Sequence, residues 1–412
     1  MRDFGRSDDP RVQTQLDRLA QLSVPQGRLG LETVTALLAR LGDPHLRLPP
    51  VFHVAGTNGK GSTCAFLRAM LEAQGYQVHA TISPHLVRYN ERIRIAGELI
   101  SDEALGALLE EVLDAGEDLG PSFFEVTIAA AFLAFSRTPA HACVVEVGMG
   151  GRFDATNVLP PEVLAACGIA ALGLDHERFL LAPDTGVPAE PMARIAFEKA
   201  GIAKRGVPLV TIDQPALEMA AIRAVADRVG APLTLAKPLA DASLALPGAH
   251  QRANAGLAVA MLRHQSVLPI TEDAVRAGLA QAKWPARLQR LSPGPLNGAR
   301  ETWLDGGHNP NAAAAIAAHF AGQKLHLLVG MIEGKEPAGF MAALGDIPVS
   351  VTVVPVPAHD WISADAFGPA ARFAGDVPSA LGALSDDGLP VLIAGSLYLA
   401  GEVLRLNGEL PD

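Results

Sequence analysis

Short runs of apolar residues alternate along most of the chain with longer segments in which apolar residues recur every three or four positions. Such runs, bounded by turn residues, are typical of buried strands in a parallel sheet, and the longer segments are typical of the helices that cover it. Two helices, at 11–22 and 31–41, come first. The pattern then predicts strands at 51–55, 76–82, 141–147, 163–172 and 207–212. Further helices are predicted at 64–72, 101–116, 123–135, 192–203, 215–229, 250–264 and 271–281.

The alternation stops in a stretch rich in proline and glycine, residues 283–298, and then begins again. Such a composition is typical of a linker. Beyond it, strands are predicted at 301–304, 324–330, 349–355 and 390–394, and helices at 311–320, 363–373 and 396–405. We therefore predict an α/β protein with two domains, 1–286 and 299–412, joined by a linker at 287–298.

The composition narrows the class of protein. Of the 412 residues, 49% are hydrophobic and 19% are charged, as in well-packed globular proteins. The net charge of −11 argues against a nucleic-acid partner, which requires clustered Lys and Arg. Three cysteines without metal-ligand spacing predict a reduced protein. The N-terminal residues lack an apolar signal core and the apolar runs are too short to span a bilayer, so we expect a cytoplasmic protein without a membrane segment.

The run at 51–55 leads into a glycine-rich string, Gly56-Thr-Asn-Gly-Lys-Gly-Ser-Thr63, and then into a helix. In that context a glycine string typically binds phosphate. Gly59 and Gly61 let backbone N–H groups approach an oxyanion, while the helix N-terminus and Lys60 supply positive charge. In the usual P-loop the first glycine would stand at position 54, and Ser or Thr would follow the lysine. We predict a nucleotide-phosphate loop of unusual spacing; the alternative is a plain glycine turn.

Polar residues end or follow three of the predicted strands: Ser83, Glu146 and His176. The carboxyl ends of parallel strands lie on one rim of a doubly wound sheet, where ligands bind. A hydroxyl, a carboxylate and an imidazole on that rim predict a Mg²⁺ site, with Glu146 as a Walker-B-like acid. The alternatives are a turn role for Ser83 and a non-ligand role for His176, since imidazole is an unusual Mg²⁺ ligand.

Two further polar features have ordinary structural explanations. Lys199 stands late in the helix at 192–203, where the helix dipole favours a cation, and spacing alone favours that explanation. Asp305, His308 and Asn309 crowd the turn before the next domain's first helix. Asn309 or Asn311 can cap that helix, which leaves Asp305 and His308 without a structural reason.

Several strings occur together in an order that goes beyond generic chemistry. The two most specific are His53-Val-Ala-Gly-Thr-Asn-Gly-Lys-Gly-Ser62 and Val145-Glu-Val-Gly-Met-Gly-Gly-Arg-Phe-Asp-Ala-Thr-Asn157. The weaker ones are Ser83-Pro-His-Leu86, Ser122-Phe-Phe-Glu125, Asp175-His176, Glu198-Lys-Ala-Gly201, His250-Gln-x-x-Asn254, Trp284-Pro-x-Arg287, Leu304-Asp-Gly-Gly-His-Asn-Pro310 and Gly395-Ser-Leu-Tyr398. With these strings nearly the whole chain resembles the folylpolyglutamate synthase/dihydrofolate synthase family, within the Mur ligase superfamily.

The resemblance implies a P-loop domain with a doubly wound, mostly parallel sheet, followed by a smaller Rossmann-like α/β domain. It implies that ATP is held by Thr57, Asn58, Gly59, Lys60, Gly61, Ser62, Asn254, Arg287 and Asp305. It implies that Mg²⁺, as one ion or two, is ligated by Ser83, Glu146 and His176. Lys199 matches a family lysine that is carbamylated near the metal, which reverses the interpretation from spacing. The implied catalytic residues are Lys60, Lys199 and, as a weaker candidate, His308.

The implied reaction is ATP-dependent amide ligation by a monomeric enzyme. A carboxylate of dihydropteroate, or of tetrahydrofolate and its polyglutamates, would attack the γ-phosphate, and L-glutamate would attack the acyl phosphate. The pterin substrate would contact Gly30, Leu31, Glu32, Thr33, Ser122, Phe123, Phe124, Glu125, Phe153, Asp154 and Ala155. Ser396 is implied for the incoming glutamate. The motifs fit addition of the first glutamate, extension of a folate tail, or both.

Two alternatives were weighed against this one. A Mur ligase acting on a UDP-linked peptidoglycan precursor would carry a separate N-terminal UDP-binding domain, and only 50 residues precede the phosphate-loop strand. A P-loop GTPase switch would carry an Asn-Lys-x-Asp string, which the sequence lacks. The chain departs from the family in extra residues around 180–188, between His176 and Lys199, and in Asp-Gly-Gly-His where Asp-Gly-Ala-His is usual.

Overall fold

The computed structural model describes residues 6–22, 30–182 and 184–411. Residue 183, which falls within the predicted extra segment, lies outside that range. The chain divides into two compact units. The first contains the described residues up to Pro84, together with Arg88–Ala245 and Gln251–Lys283. The second contains His85–Val87, Leu246–His250 and the described residues from Trp284 onwards.

The first unit is built from ten named helices and eight strands. The helices are α1 (Pro10–Gln21), α2 (Glu32–Arg40), α3 (Lys60–Ala73), α4 (Asp102–Gly116), α5 (Phe123–Arg137), α6 (Glu177–Leu180), α7 (Pro191–Ala200), α8 (Ala216–Val229), α9 (Gln251–His264) and α10 (Glu272–Gln281). The strands are β1 (Val51–Ala55), β2 (Val78–Thr81), β3 (Ile93–Ile95), β4 (Glu98–Leu99), β5 (Ala142–Glu146), β6 (Leu164–Ile169), β7 (Leu209–Thr211) and β8 (Leu233–Leu235).

The strands of the first unit form one sheet in the order β4-β3-β2-β5-β1-β6-β7-β8. All neighbours from β2 to β8 are parallel, and β3 and β4 add an antiparallel edge. Every residue of β1, β5 and β6 is buried, because helices cover both faces of the central strands. This topology brings the carboxyl ends of β1, β2, β5 and β6 to neighbouring positions on one rim.

The second unit has its own sheet and core. Its strands are β9 (Gln289–Arg290), β10 (Thr302–Leu304), β11 (Leu325–Val329), β12 (Pro348–Val353), β13 (Arg372–Phe373) and β14 (Val391–Ala394). Its helices are α11 (Pro310–His319), α12 (Pro337–Leu344), α13 (Val377–Gly382) and α14 (Leu397–Asn407). The strand order is β13-β12-β11-β14-β10-β9, parallel except for β9 against β10.

The structure confirms the predicted α/β class and corrects several predicted elements. The helix predicted at 363–373 is wrong: the segment forms a short 3₁₀ turn at Ala364–Phe367 and then β13. Gly368 has φ +113, and Pro369 follows it, a pair that a helix interior does not tolerate. The segment predicted as a linker contributes β9, which pairs with β10. The β3–β4 hairpin, β8, α12 and α13 were not predicted.

The structure also bears on two expectations drawn from composition, one about membrane segments and one about the cysteines. Within the described ranges, no helix combines the length and the apolar character that a bilayer crossing needs. Cys64, Cys143 and Cys167 are all buried free thiols.

Candidate active site

The loop between β1 and α3 is attached to the chain that follows β6. The N–H groups of Thr57 and Asn58 both donate to the carbonyl oxygen of Ala171, at 2.8 and 3.1 Å. The Thr57 hydroxyl donates to the carbonyl oxygen of Gly173 at 2.9 Å. These bonds fix the first half of the loop. Its backbone donors for a ligand must therefore come from the second half, at the start of α3.

The start of α3 has the features of an anion site. The first hydrogen bond of its ladder runs from the N–H of Thr63 to the carbonyl of Gly59, so the N–H groups of Lys60, Gly61 and Ser62 precede that ladder. Gly59 is the N-cap, with φ +86, and no side chain among the described residues caps this helix start. A helix N-terminus with free donors and an adjacent lysine favours a phosphate group.

Side chains of α9 pack against the start of α3. A Cβ atom added at Gly59 would lie 2.3 Å from Asn254 Oδ1, so only glycine fits there. Asn254 Nδ2 donates to Gln251 Oε1 at 2.9 Å, and Gln251 Nε2 donates to the Ser62 hydroxyl at 3.3 Å. The structure thus brings the predicted ATP contact Asn254 to the loop. It also adds Gln251, which the string His250-Gln-x-x-Asn254 contains but to which the sequence analysis gave no role; its position one turn before Asn254 places both on one helix face.

Two lysines converge on one carbonyl oxygen of the loop. Lys199 Nζ donates to the Gly56 carbonyl at 2.9 Å, and Lys60 Nζ donates to the same oxygen at 3.2 Å. Lys199 is buried, and burial, followed by the charge of Lys60, lowers its pKa to about 7, against opposing effects of Asp175 and Asp154. Near neutral pH a large share of this amine is therefore uncharged. Lys199 does lie in the last turn of α7, as spacing predicts, but its burial and its bond to Gly56 go beyond what matching a helix dipole requires.

The predicted metal ligands end neighbouring strands. The Ser83 N–H donates to Glu146 Oε2 at 3.3 Å, so the structure brings the ends of β2 and β5 together. His176 follows β6 and is the N-cap residue of α6, with φ +54. The described residues contain no group of three or more His, Cys, Asp or Glu side chains suited to a metal. Ser83 and Glu146 nevertheless supply hard oxygen atoms, which fit Mg²⁺. The role of His176 stays a prediction.

The Gly-Gly-Arg-Phe-Asp loop is folded around a buried carboxylate. Asp154 accepts from the N–H groups of Met149 and Thr156, at 2.8 and 3.0 Å, and from the Thr156 hydroxyl. Burial raises the pKa of Asp154. His53 on β1 lies 2.8 Å from Thr156 Oγ1, and burial lowers its pKa to about 3, so the imidazole is neutral. The Asp154 carboxylate therefore organises this loop, and a contact of Asp154 with a pterin stays a prediction.

Most of the other residues predicted for the pterin lie at the starts of α5 and α2. Ser122 and Glu125 form a reciprocal capping box on α5: the Ser122 N–H donates to Glu125 Oε2 at 2.7 Å, and the Glu125 N–H donates to the Ser122 hydroxyl at 3.3 Å. Phe124 packs against Gly148, where an added Cβ would lie 2.4 Å from the ring. Phe123 meets Tyr89 edge to face at 5.6 Å. The remaining residues are the start of α2, Gly30, Leu31, Glu32 and Thr33, and the loop residues Phe153 and Ala155.

Three of the predicted site residues of the second unit, Arg287, Asp305 and His308, lie around one turn. Asp305 accepts from the N–H groups of Leu288 and Gly307, at 2.8 and 2.7 Å. An added Cβ at Gly306 would lie 2.7 Å from Arg287 Nη1, and His308 Nδ1 is 3.1 Å from the Gly306 carbonyl. Asp305 thus has a structural role that the sequence did not reveal, and its contact with ATP stays a prediction.

Ser396, predicted for glutamate, is the N-cap of α14. Its hydroxyl oxygen accepts from the Tyr398 N–H at 3.1 Å. The oxygen is used by the helix, while the hydroxyl proton stays available to a ligand. A contact of Ser396 with glutamate stays a prediction.

A parallel doubly wound sheet, a strand–glycine loop–helix junction with an uncapped helix start, and an acid ending the neighbouring strand together define a nucleotide-binding protein of the P-loop class. No family model matches the chain. It is 36% identical to the dihydrofolate synthase/folylpolyglutamate synthase of Bacillus subtilis over 346 residues, covering 74% of this chain and 76% of that protein.

Two solved structures are similar over almost the whole chain. An Escherichia coli FolC in complex with DHPP and ADP gives a TM-score of 0.83 at 29% identity and covers 97% of this chain and 98% of its own. A bifunctional folylpolyglutamate synthase/dihydrofolate synthase with Mn, AMPPNP and L-glutamate bound gives a TM-score of 0.81 at 30% identity and covers 96% and 97%. The chain belongs to the folylpolyglutamate synthase/dihydrofolate synthase family.

Proposed function

We propose that this chain is an ATP-dependent ligase that joins L-glutamate to a carboxylate of a pteroate or folate acceptor through an acyl phosphate. The observation that carries the proposal is the meeting of Lys60 and Lys199 at the Gly56 carbonyl, 3.2 and 2.9 Å away, beside the uncapped start of α3. Family membership and the ligands named for the two similar structures, DHPP with ADP and L-glutamate with AMPPNP, support the choice of substrates.

The chain's own groups would neutralise the phosphoryl group as it transfers. The N–H groups at Lys60, Gly61 and Ser62 would donate to phosphate oxygens, and Lys60 Nζ would exchange the Gly56 carbonyl for one of them. Donors that are already in place when charge develops lower the barrier without further reorganisation. The acceptor carboxylate would form a C–O–P linkage as the bond to ADP breaks. The glutamate amine would then displace phosphate to form the amide.

The hard oxygens at the ends of β2 and β5 fit a divalent cation, and Mn is named for one similar structure. We assign Mg²⁺ to Ser83 and Glu146, with His176 as the third predicted ligand. Such an ion supplies charge neutralisation for the phosphoryl group.

Lys199 suits carbamylation because its amine is buried and its pKa is lowered to about 7. The uncharged amine would attack CO₂, an N–C bond would form and one proton would leave. The product is a carboxylate-like anion next to Lys60, which would offset the charge of that lysine. Activity that rises with added bicarbonate, and that Lys199→Arg abolishes, would support this role. Activity indifferent to CO₂ would contradict it.

We further propose ATP binding for the first unit and a glutamate-ligase type of role for the second. The acceptors would be dihydropteroate, tetrahydrofolate polyglutamates or both, and the enzyme would act as a monomer in the cytoplasm. The three buried free cysteines and the net charge of −11 fit a reducing compartment and the lack of a nucleic-acid partner.

ADP release tests this function directly. With ATP, Mg²⁺, an acceptor and L-glutamate, we expect ADP to form together with the glutamylated product, and omission of either the acceptor or glutamate should abolish product. Dihydropteroate and tetrahydrofolate, assayed in parallel, distinguish first addition from tail extension. Hydroxylamine in place of glutamate should trap a folate hydroxamate. ADP release that ignores both co-substrates would contradict a ligase.

A further inference from the structure

The segment between His176 and α7, which holds the residues predicted to be extra relative to the family, contacts the Gly-Gly-Arg loop and α7 through ion pairs. Asp184 Oδ2 lies 2.7 Å from Arg152 Nη2 and 3.9 Å from Arg194 Nη2. Arg152 binds Glu198 through Nε and Nη2, at 3.0 and 2.8 Å, and Arg194 Nε lies 2.9 Å from Glu198 Oε1. Two arginines and two carboxylates therefore form one balanced network.

This network is largely removed from solvent. The side chains of Asp184, Arg194 and Glu198 are 11%, 8% and 6% exposed, and that of Arg152 is 22% exposed. Removing one partner of a buried ion network leaves a charge without compensation, which is far more costly than at the surface. Asp184 is thus a structural part of the network and not an incidental surface acid of an exposed loop.

Arg152 connects this network to two predicted parts of the active site. Its N–H donates to the Glu198 carbonyl at 2.7 Å, in the last turn of α7, immediately before Lys199. Its guanidinium lies 4.2 Å from the centre of the Phe153 ring, at the start of the segment predicted to contact the pterin. Arg152 therefore links Asp184 to both places, to the end of α7 through its backbone N–H and to Phe153 through its guanidinium.

A second, apolar attachment holds the same segment. Leu180, in α6, is buried, and a Cβ atom added at Gly150 would lie 2.8 Å from Leu180 Cδ2. Gly150 has φ +70, so a side chain there would be strained as well. The segment is thus fixed to the Gly-Gly-Arg loop at two points, one polar and one apolar.

We propose that Asp184 is a positioning residue for the acceptor site. Its carboxylate anchors the segment between α6 and α7 to Arg152 and Arg194, and so holds Phe153 and the end of α7 in place. The effect on the acceptor rests on the proposed function, whereas the anchoring does not. The extra residues are therefore part of the wall of the site in this chain.

Limited trypsin digestion tests the anchoring without reference to activity. Arg178 is exposed and precedes the anchor, so Asp184→Asn should raise the rate of cleavage after Arg178, followed by mass spectrometry, by about tenfold as the segment opens locally. Asp118→Asn is the matched control, because it removes an exposed Asp–Arg pair with Arg40 elsewhere in the unit. Asp184→Glu should recover part of the protection. Unchanged cleavage after Arg178 in Asp184→Asn overturns the anchoring.

Steady-state kinetics test the positioning. Asp184→Asn should raise KM for the acceptor several-fold while KM for ATP and the pH profile stay as in the unmodified enzyme. Equal changes in both KM values, or none, overturn the positioning role. If Asp184→Asn does not fold, Leu180→Ala loosens the same segment from its apolar side, and the same two readouts apply. Loss of protection at Arg178 without any ligase activity in the unmodified protein would leave the anchoring intact and refute the proposed function alone.

Discussion

The helices α3 and α11 begin in the same way, after a buried strand and a glycine-containing turn, yet their first turns are completed differently. At α3 the N-cap is Gly59, with φ +86 and no capping side chain in the described part of the chain. At α11 the N-cap Asn309 accepts from the Ala312 N–H at 2.9 Å. The first helix start keeps its donors for a ligand, and the second uses its own side chain.

The charges around the two helix starts differ in the same sense. The loop before α3 holds the amine of Lys60, whereas the turn before α11 holds the buried carboxylate of Asp305, which accepts two backbone N–H groups. An anion is attracted to the first and repelled from the second. The same topology therefore gives a phosphate site in one unit. In the other, any contact of Asp305 with ATP would be to hydrogen-bond donors such as ribose hydroxyls.

The largest effect expected from this comparison is that of Lys60→Ala. Removal of the cation should lower the rate of ligation by a factor of roughly 10²–10³, since a preorganised charge at the phosphoryl group is lost. ADP formation under saturating substrates measures it, with circular dichroism to confirm folding. Lys324→Ala is the control, because that exposed lysine pairs with Asp346 at 2.8 Å in the other unit. Ligation that survives Lys60→Ala would remove the α3 site from the mechanism.

Gly59→Ala tests whether ATP binding requires glycine at the N-cap of α3. The new Cβ would lie 2.3 Å from Asn254 Oδ1, and the alanine backbone would be held at φ +86. We therefore expect the affinity for ATP, measured by calorimetric titration, to fall by about tenfold or more. Gly75→Ala is a close match, with φ +90 and nothing within 4 Å of the new atom. It should cost about 1 kcal/mol of stability through backbone strain and leave ATP affinity unchanged. Equal losses of affinity in the two variants would show that strain alone is responsible.

Lys199→Met tests whether the buried charge of Lys199 destabilises the folded protein. The pKa of Lys199 is lowered from 10.5 to about 7, so between these values the unfolded chain binds more protons and the stability of the unmodified protein rises with pH. The variant should abolish ligation yet be more stable near neutral pH, by the order of 1–2 kcal/mol, an advantage that disappears as pH approaches 10.5. Denaturant unfolding of both proteins in CO₂-free buffers, at neutral pH and near pH 10.5, measures this difference in stability. A variant that is less stable than the unmodified protein at neutral pH would contradict a lowered pKa for Lys199.

The smallest expected effect concerns α11. Asn309→Ala removes the side-chain cap and should lower the free energy of unfolding by about 1 kcal/mol. Urea unfolding provides the value. Thr271→Ala, which removes the cap that accepts from the Ala274 N–H at 3.2 Å in α10, should behave alike. A much larger loss of ATP affinity in Asn309→Ala than in Thr271→Ala would show that the α11 turn also serves as a ligand site.

The elements that follow from the pattern of apolar and glycine residues could be predicted from the sequence. The buried strands β1, β5 and β6 and the strand–loop–helix order follow from apolar runs and glycines, and the pairing of Ser83 with Glu146 follows from strands that end on one rim. The meeting of Lys199 with Gly56, and of Asn254 with Gly59, could not be predicted from spacing, because 143 residues separate the first pair and the contacts arise from tertiary packing.

The sequence failed where one residue type serves two purposes. Of the two predicted caps, Asn309 and Asn311, the structure uses Asn309. The sequence does not reveal the capping box of Ser122 and Glu125 or the turn held by Asp305, since the resemblance assigns the same residues to ligands. Asp184 carried no signal at all. A carboxylate in a loop is usually solvated, and only the fold brings Arg152 and Arg194 to it.

A structure with bound ADP would show whether the start of α3 is the phosphate site. We expect β-phosphate oxygens within about 3 Å of the N–H groups at Lys60, Gly61 and Ser62. Lys60 Nζ should have left the Gly56 carbonyl, now 3.2 Å away, to bind the phosphate. A diphosphate bound at the start of α11, or bound elsewhere with Lys60 still on Gly56, would contradict the account.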